Sequence, residues 1–331
     1  MIHLYFNMSC RITLAGNVVF DRVNSATVNE SIKKLSDTAT LILPREFKEA
    51  IVEGRTESIA RRNITDFIKV GDTVKIELGY DNNLNTEFEG YIKSIGADVP
   101  LVLECEDEMY KLRKTNFVKS YSSIGLAQLV TGIAPGYKTD LIDDVGLGKF
   151  VINNASAYEV LEDLRKNYGL HSRFKDGVLV IGFPVSIVPG VVHQINMNRN
   201  VRALSTDLKF VRKEDYKLLL KAISINKDGT RFRTEFGDKG GATRTLHFTN
   251  KSLKELEVLT ENNFKSLSFD GYQGTIPTWG LPLTKAGDAI EVTDPNYENS
   301  ERDGKYLIEG VVKKFNSNDG FVRENKIGLK L

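Results

Sequence analysis

The stretch KVGDTVKI (69–76), followed by FEGYIKSI (88–95), occurs a second time near the C-terminal end of the chain. There it reads KAGDAIEV (285–292), followed by IEGVVKKF (308–315), about 216–220 residues on. Lys69, Gly71 and Asp72 match Lys285, Gly287 and Asp288, and Val74 and Ile76 match Ile290 and Val292. Glu89, Gly90, Ile92 and Lys93 match Glu309, Gly310, Val312 and Lys313, with a link between the motif halves that differs by four residues. In each copy the Gly-Asp pair reads as a turn that opens a strand. The glycine tolerates left-handed dihedrals and the aspartate bonds to nearby backbone. The next strand carries a central glycine, the mark of a bulge or tight bend in a curved sheet. A strand, a polar loop and a strand bent at glycine are what a small closed barrel uses. One Gly-Asp opening alone is common; both motifs in one order at similar spacing make a repeat. The expected architecture is a β-rich α+β fold, with two related small β-barrels and an intervening α+β domain.

Working outward, three zones separate by periodicity. Residues 1–118 read as the first barrel. Val74, Ile76 and Leu78 alternate with Lys75 and Glu77, the period of a half-buried strand. Phe88–Lys93 and Leu101–Leu103 read as further strands, with Asp81-Asn82-Asn83 as turn material. The charged stretch 46–62 reads as a short helix or a mobile loop. Residues 119–195 read as a small α+β domain of two helices plus a hairpin. Leu126, Leu129, Val130 and Ile133 share one helical face. Ser156 and Glu159 form a capping box, Ala157, Val160, Leu161, Leu164 and Tyr168 follow on one face, and Gly169 stands at the stop. His171–Phe174 and Val178–Ile181, joined through Asp176-Gly177, predict a hairpin. Residues 196–331 read as the second barrel with one inserted helix, opened by a Ser252/Glu255 capping box and burying Leu253, Leu256 and Leu259.

The chain has 331 residues, 41% of them hydrophobic and 27% charged, with net charge +1. That length carries two or three domains, and that balance excludes a global field for nucleic acid or an anionic membrane. The N-terminal MIHLYFNMSC lacks the pattern of a secretory signal, and no window is apolar enough to predict a transmembrane helix. Cys10 and Cys105 read as buried free thiols of a chain folded in a reducing cytosol.

With the repeat stand SATVNESIKKLSDTATLILP (25–44), ASAYEVLEDLRKNYGLHSRFKDGVLVIG (155–182), SLKELEVLTENNFKSLSFDGYQGTIPTWGLPLTKAGDAIEV (252–292) and GKYLIEGVVKKFNSNDGFVRENKIGLKL (304–331). On these runs, which span most of the chain, the sequence resembles the baseplate hub proteins of contractile-tailed phages, the late control D family. It also resembles the N-terminal hub part of the VgrG spike proteins of type VI secretion systems. The resemblance implies a structural, non-enzymatic hub of a phage or phage-like tail. Three subunits, each with two related barrels, would form a pseudo-six-fold ring. Such a homotrimer adapts a six-fold tail tube to a three-fold central spike. The implied partners are further copies of the chain, the tail tube protein, a separate central spike protein, other baseplate proteins and the tape measure protein. The implied location is the virion tail or baseplate, assembled in the host cytoplasm. VgrG proteins continue into an OB-fold and a spike. This sequence ends at Leu331, directly after the last predicted strand, so the spike is expected to be a separate protein.

No catalytic, cofactor-binding or metal-ligating residue is assigned. His3, His171, His193 and His247 are scattered, without the spacing of a metal site. No GxSxG elbow occurs, and Gly237–Gly241 reads as a flexible hairpin loop rather than a phosphate loop. The acidic runs Glu104, Glu106, Asp107, Glu108 and Asp143-Asp144 read as solvated faces. As a cell-wall hydrolase the chain would draw on Glu106 and Asp144. As a tail-tip receptor or carbohydrate binder it would use exposed Tyr272 and Trp279, although the GTIPTWGLPL context reads as packing of Trp279 in a core or subunit seam. The polar segment 53–66 is expected to be an exposed loop touching a neighbouring subunit or the tube.

Overall fold

The computed structural model describes residues 7–52, 55–143, 145–202, 207–215 and 217–331. The chain opens with β1 (Met8–Leu14), β2 (Val18–Phe20), β3 (Ser25–Ser31), β4 (Thr38–Leu43), β5 (Glu46–Val52), β6 (Arg55–Asn63), β7 (Thr73–Tyr80), β8 (Asn83–Ile95) and β9 (Leu101–Glu106). One turn of helix, α1 (Met109–Leu112), leads to β10 (Asn116–Gly125), α2 (Leu126–Ile133), β11 (Lys138–Leu141), β12 (Gly146–Ser156), α3 (Ala157–Tyr168), β13 (His171–Lys175) and β14 (Val178–Gly182). The remainder holds β15 (Val192–Asn196), β16 (Lys209–Val211), β17 (Leu218–Ile225), β18 (Arg231–Gly237), β19 (Ala242–Thr249), α4 (Leu253–Leu267), β20 (Gly271–Trp279), β21 (Ala289–Thr293), β22 (Gly304–Asn316) and β23 (Gly320–Lys330).

Period-two burial shapes the sheets as expected. Val74, Ile76 and Leu78 of β7 are buried, together with Ile12 and Leu14 of β1, Leu41 and Leu43 of β4 and Leu101 and Leu103 of β9. A second apolar interior gathers Ile276, Ile290, Val292, Ile308 and Val311. The strands around these two interiors join into one sheet path, β16-β20-β23-β22-β3-β4-β9-β8-β7-β1-β2-β5-β6, with β21 bridging β15 and β22. The join is β22. It pairs with β21 over Gly304–Leu307 and then with β3 over Gly310–Asn316.

The middle segment builds its own core from Leu126, Leu129, Leu161, Leu164, Leu179 and Ile181. Both features of α3 read from the sequence are present: the Ser156/Glu159 capping box and a left-handed Gly169 (φ 70) at the stop. The tight turn between β13 and β14 has positive φ at Asp176 (49) and Gly177 (77), and β7 and β8 turn through Asp81 (51) and Asn82 (63) in the same way. This core also takes in Ile225 of β17. The three-stranded sheet β18-β17-β19 therefore packs onto the middle unit as well as belonging to the last zone, while α4 lies against β17, β18 and β23.

Four expectations are corrected. The stretch 46–62 is neither helix nor loop: β5 pairs with β6, and β5 adds to the edge of β2 through Val18↔Val52 and Val19↔Ile51. A free sheet edge supplies ladder partners that local composition does not reveal. Residues 55–63 of the supposed loop are thus strand and 64–66 a 3-10 turn, while 53 and 54 lie outside the described residues. The run Gly237–Gly241 is not a hairpin loop. β18 and β19 flank β17 on opposite sides, so the run crosses the end of β17, with Asp238 N donating to Leu218 O (2.8 Å). On α4, Leu256 is buried but Leu253 is 45% exposed, because only one side of the helix meets the sheet.

Candidate functional site

The repeated motif is one structural module built twice. In the first copy Asp72 N donates to Lys69 O (3.1 Å), Gly71 N to Ile92 O (2.8 Å) and Ile92 N to Asp72 O (2.9 Å). In the second, Asp288 N donates to Lys285 O (3.1 Å), Gly287 N to Ile308 O (2.9 Å) and Ile308 N to Asp288 O (2.9 Å). Each aspartate also caps its own turn, Asp72 Oδ2 accepting from Lys69 N (2.9 Å) and Asp288 Oδ2 from Lys285 N (3.1 Å). Gly71 (φ 96) and Gly287 (φ 92) occupy the left-handed region that the turn demands. The strand registers agree too. Thr73↔Tyr91, Val74↔Gly90 and Ile76↔Phe88 correspond to Ala289↔Leu307, Ile290↔Tyr306 and Val292↔Gly304.

Every one of these equivalences is 216 residues apart, which corrects half of the sequence alignment. Ile92 corresponds to Ile308, so Glu89-Gly90 does not correspond to Glu309-Gly310. The turn sets the register, and a slip of four keeps the same face inward. An Glu-Gly pair could therefore drift along the strand without turning the core outward.

Between the two copies lies a buried charge network that the sequence reading missed. Lys313 of β22 and Arg323 of β23 are both fully buried. The Lys313 ammonium meets Glu30 of β3 and lies 2.9 Å from Glu87 of β8. The Arg323 guanidinium pairs with Glu87 and donates to the carbonyls of Gly280 (2.7 Å) and Thr284 (3.1 Å). Asn325 completes the cluster, donating to Ile276 O (3.0 Å) and accepting from Thr284 Oγ1 (2.5 Å). Charges from both copies are thus neutralised across their junction. The available signal was phase: Val311, Lys313 and Phe315 share the inward face of β22.

Beside the junction opens a cleft of about 990 Å³, bordered by Glu30, Asp37, Asp107, Arg173 and Asp288. Two of the acidic residues expected on a solvated face are buried: Asp107 (7% exposed), which borders the cleft, and its chain neighbour Glu106 (1%). Asp107 accepts from the N–H groups of Asp37 (3.1 Å) and Met109 (3.0 Å), so it holds the start of α1. Burial outweighs those bonds and pushes its carboxyl up to about 7. Burial, with Glu30 and Asp107 nearby, also raises Asp37 well above the usual carboxylate range. Burial acts to raise Glu106 too, but hydrogen bonds from Arg113 and Ser36, with the Arg113 and Lys93 charges, hold it below that range. Glu106 is thereby committed as an ion-pair partner of Arg113 (2.8 Å).

Asp144 lies outside the described residues, as does His3. Asp143 fastens a loop, accepting from Phe183 N (2.9 Å) and Ser186 Oγ (3.2 Å). His193 Nε2 sits 2.9 Å from Asp288. His247 stacks on Phe183, and burial lowers it to about 4. Among the described residues no group of three His, Cys, Asp or Glu side chains could hold a metal ion. Cys10 and Cys105 are free and buried, and burial raises them to about 11 and about 12. No helix of the described residues is long and apolar enough to cross a membrane. Of the aromatic residues, Tyr272, expected to be exposed, is buried and bonded to Asp294; Trp279 is not in a core but 48% exposed in the single chain, with the Arg202 guanidinium 5.2 Å from its ring. Trp279, the last residue of β20, is still paired with Val322 of β23, but it lies on the exposed side of the strand.

No protein-family model matches the chain, and no curated protein matches it in sequence. Solved structures do match. The fold is that of phage tail proteins. The tail protein from Neisseria meningitidis MC58 superposes with a TM-score of 0.59 at 15% identity, covering 98% of this chain and 97% of its own. The 43 kDa tail protein of prophage MuSo2 from Shewanella oneidensis gives 0.58 at 15% identity, covering 97% of each. An E. coli component of the type VI secretion system, itself structurally similar to T4 bacteriophage tail proteins, gives 0.58 at 10% identity, over 96% of this chain and 76% of that one. At the level of fold, the resemblance read from the sequence holds.

Proposed function

We propose that this chain is the structural, non-enzymatic hub of a phage-type tail baseplate, working as a homotrimeric ring. One observation carries the reading: a single polypeptide builds the same turn and strand register twice, 216 residues apart. Three such chains offer six near-equivalent modules around one axis. One face of the ring then matches a six-fold tube protein, while the chain count matches a separate three-fold spike. The reading divides the chain at 1–118, 119–195 and 196–331 into barrel, α+β domain and barrel. Other baseplate proteins and the tape measure protein would complete its surroundings in the virion tail, after assembly in the host cytoplasm. The charge network at the junction supports it, since it braces the two copies against each other with paired groups on β3, β8, β22 and β23. Negative-stain images and mass photometry of the purified chain, alone and with its tube protein, test it. Three-subunit rings are expected; a monomer under both conditions sinks the proposal.

Exposed Trp279 favours a second reading, a receptor- or carbohydrate-binding module at a tail tip, because an indole half open to solvent can stack on a sugar. Glycan binding by the chain that Trp279→Ala abolishes would support that role, and a blank glycan array would remove it.

A further inference from the structure

The three-stranded sheet β18-β17-β19 meets the middle unit along one seam. His247 of β19 stands in it. Its ring stacks on Phe183 (5.7 Å between centroids) and lies over Gly169, where an added Cβ would stand 2.1 Å from Nδ1. Beside it the Arg231 guanidinium sits 4.8 Å from the Tyr168 ring, and Ile225 enters the middle core. Gly146 leaves room for the Lys227 carbonyl, which an added Cβ would approach to 2.0 Å. A second histidine, His171 of β13, faces His247 from the middle unit, and its buried Nδ1 has no hydrogen-bond partner among the described residues.

The charges at this seam oppose a further proton. Facing the two rings are Arg165 and Glu162 from α3, Lys33 and the Ile32 backbone from the β3–β4 link, and Arg231 from β18. The carboxylates beside these cations are already engaged, Glu162 by Arg165 (2.5 Å) and Glu309 by Lys33 (2.6 Å). Burial, with the cations, holds both rings below the ordinary histidine value, His247 at about 4. Their contribution to closure is complete above the ordinary 6.5 and is lost as pH falls toward about 4. Filling the space needs only an apolar ring such as Phe183; two facing imidazoles add a response to pH. We propose that His171 and His247 form an acid-released latch: protonation of the facing rings parts the β18-β17-β19 sheet, with α4, from the middle unit. The parted sheet stays tethered, because α4 also packs on β23 through Leu329. The latch works within one chain and stands apart from the hub reading.

Thiol labelling of the full chain tests the latch. Ile225→Cys places a thiol in the seam at a position 1% exposed, while Cys10 and Cys105, buried in the first copy, report on global unfolding. Ile223→Cys, two residues back along β17 and partly buried in the same seam, is the second probe. Labelling is pulsed with methyl methanethiosulfonate, read by peptide mass spectrometry and divided at each pH by the rate for free glutathione. Between about pH 7.5 and about pH 5 the seam thiol is expected to label at least about tenfold faster, with Cys10 and Cys105 unchanged. His247→Phe combined with His171→Gln, in the same background, cannot take up the protons and is expected to remove that rise. Arg231→Gln, which takes away one opposing cation, is expected to move the rise to lower pH. A seam thiol whose labelling does not change with pH overturns the proposal, whatever becomes of the histidine variants. So does an equal rise at Cys10 and Cys105, which would make the event global unfolding, or an undiminished rise in a double variant that keeps its far-UV circular dichroism.

Discussion

Lys313 shows how one residue can hold two halves of a chain together. Its ammonium is fully buried between Glu30 and Glu87, carboxylates contributed by the first copy of the module. A buried pair adds little over a well-packed apolar substitute, but removing one partner strands the other charge. Lys313→Ala is expected to lower unfolding stability by about 3–5 kcal/mol, read from urea melts. A loss under about 1 kcal/mol would show that water already reaches the network. Asp107 makes a second prediction, about pH. Its folded-state value of about 7 lies above its ordinary 3.8, so the native chain keeps the proton over a range where the unfolded chain has lost it. Its contribution to stability is therefore fully present below 3.8 and is lost as pH rises through about 7. Asp37 acts in the same direction. His171 and His247 act oppositely: burial lowers both, so stability falls as pH drops below their ordinary 6.5. Asp107→Asn is expected to flatten the decline in urea midpoint between about pH 4 and about pH 7. An unchanged slope in that variant would assign the pH dependence to other groups.

The elements divide into those with local causes and those made by their neighbours. Helix α3 is of the first kind. Ser156 Oγ accepts from Glu159 N (3.3 Å) and Glu159 Oε2 accepts from Ser156 N (2.7 Å), which satisfies groups the first turn would otherwise leave bare. Ser156→Ala is expected to cost about 1 kcal/mol in a urea melt. A wild-type midpoint would mean that packing of Leu161 and Leu164 alone holds the helix. The β5–β6 hairpin is of the second kind, formed on the edge of β2 from a stretch whose charge pattern speaks for loop.

At the scale of the whole molecule, β22 belongs to both copies. It closes on β21 over its first residues and on β3 over its last, while pairing with β23 along its length. Neither copy can unzip without exposing the strand that the other needs. The copies are therefore expected to unfold together. Trp279, the single tryptophan, reports on the second copy, and far-UV circular dichroism reports on all the strands. The two urea transitions should superimpose. A fluorescence transition that precedes the circular dichroism loss would show that the copies are independent.

By itself the sequence determined whatever depends on neighbours along the chain. That covers the alternation of β7, the helices α2 and α3, both capping boxes, the Asp176-Gly177 turn and the Gly-Asp turns that announce a duplication. These features involve hydrogen bonds and burial phases spanning only a few residues, so residue order is enough to specify them. Tertiary structure alone decided the register of the second copy, the pairing of β22 with β3, the fate of 46–62 and the burial of Lys313, Arg323, Glu106 and Asp107. Each depends on a partner far away in sequence: a free edge, an opposite charge or a facing sheet. Such a partner exists only once the chain has folded back on itself, and so leaves no pattern at short range.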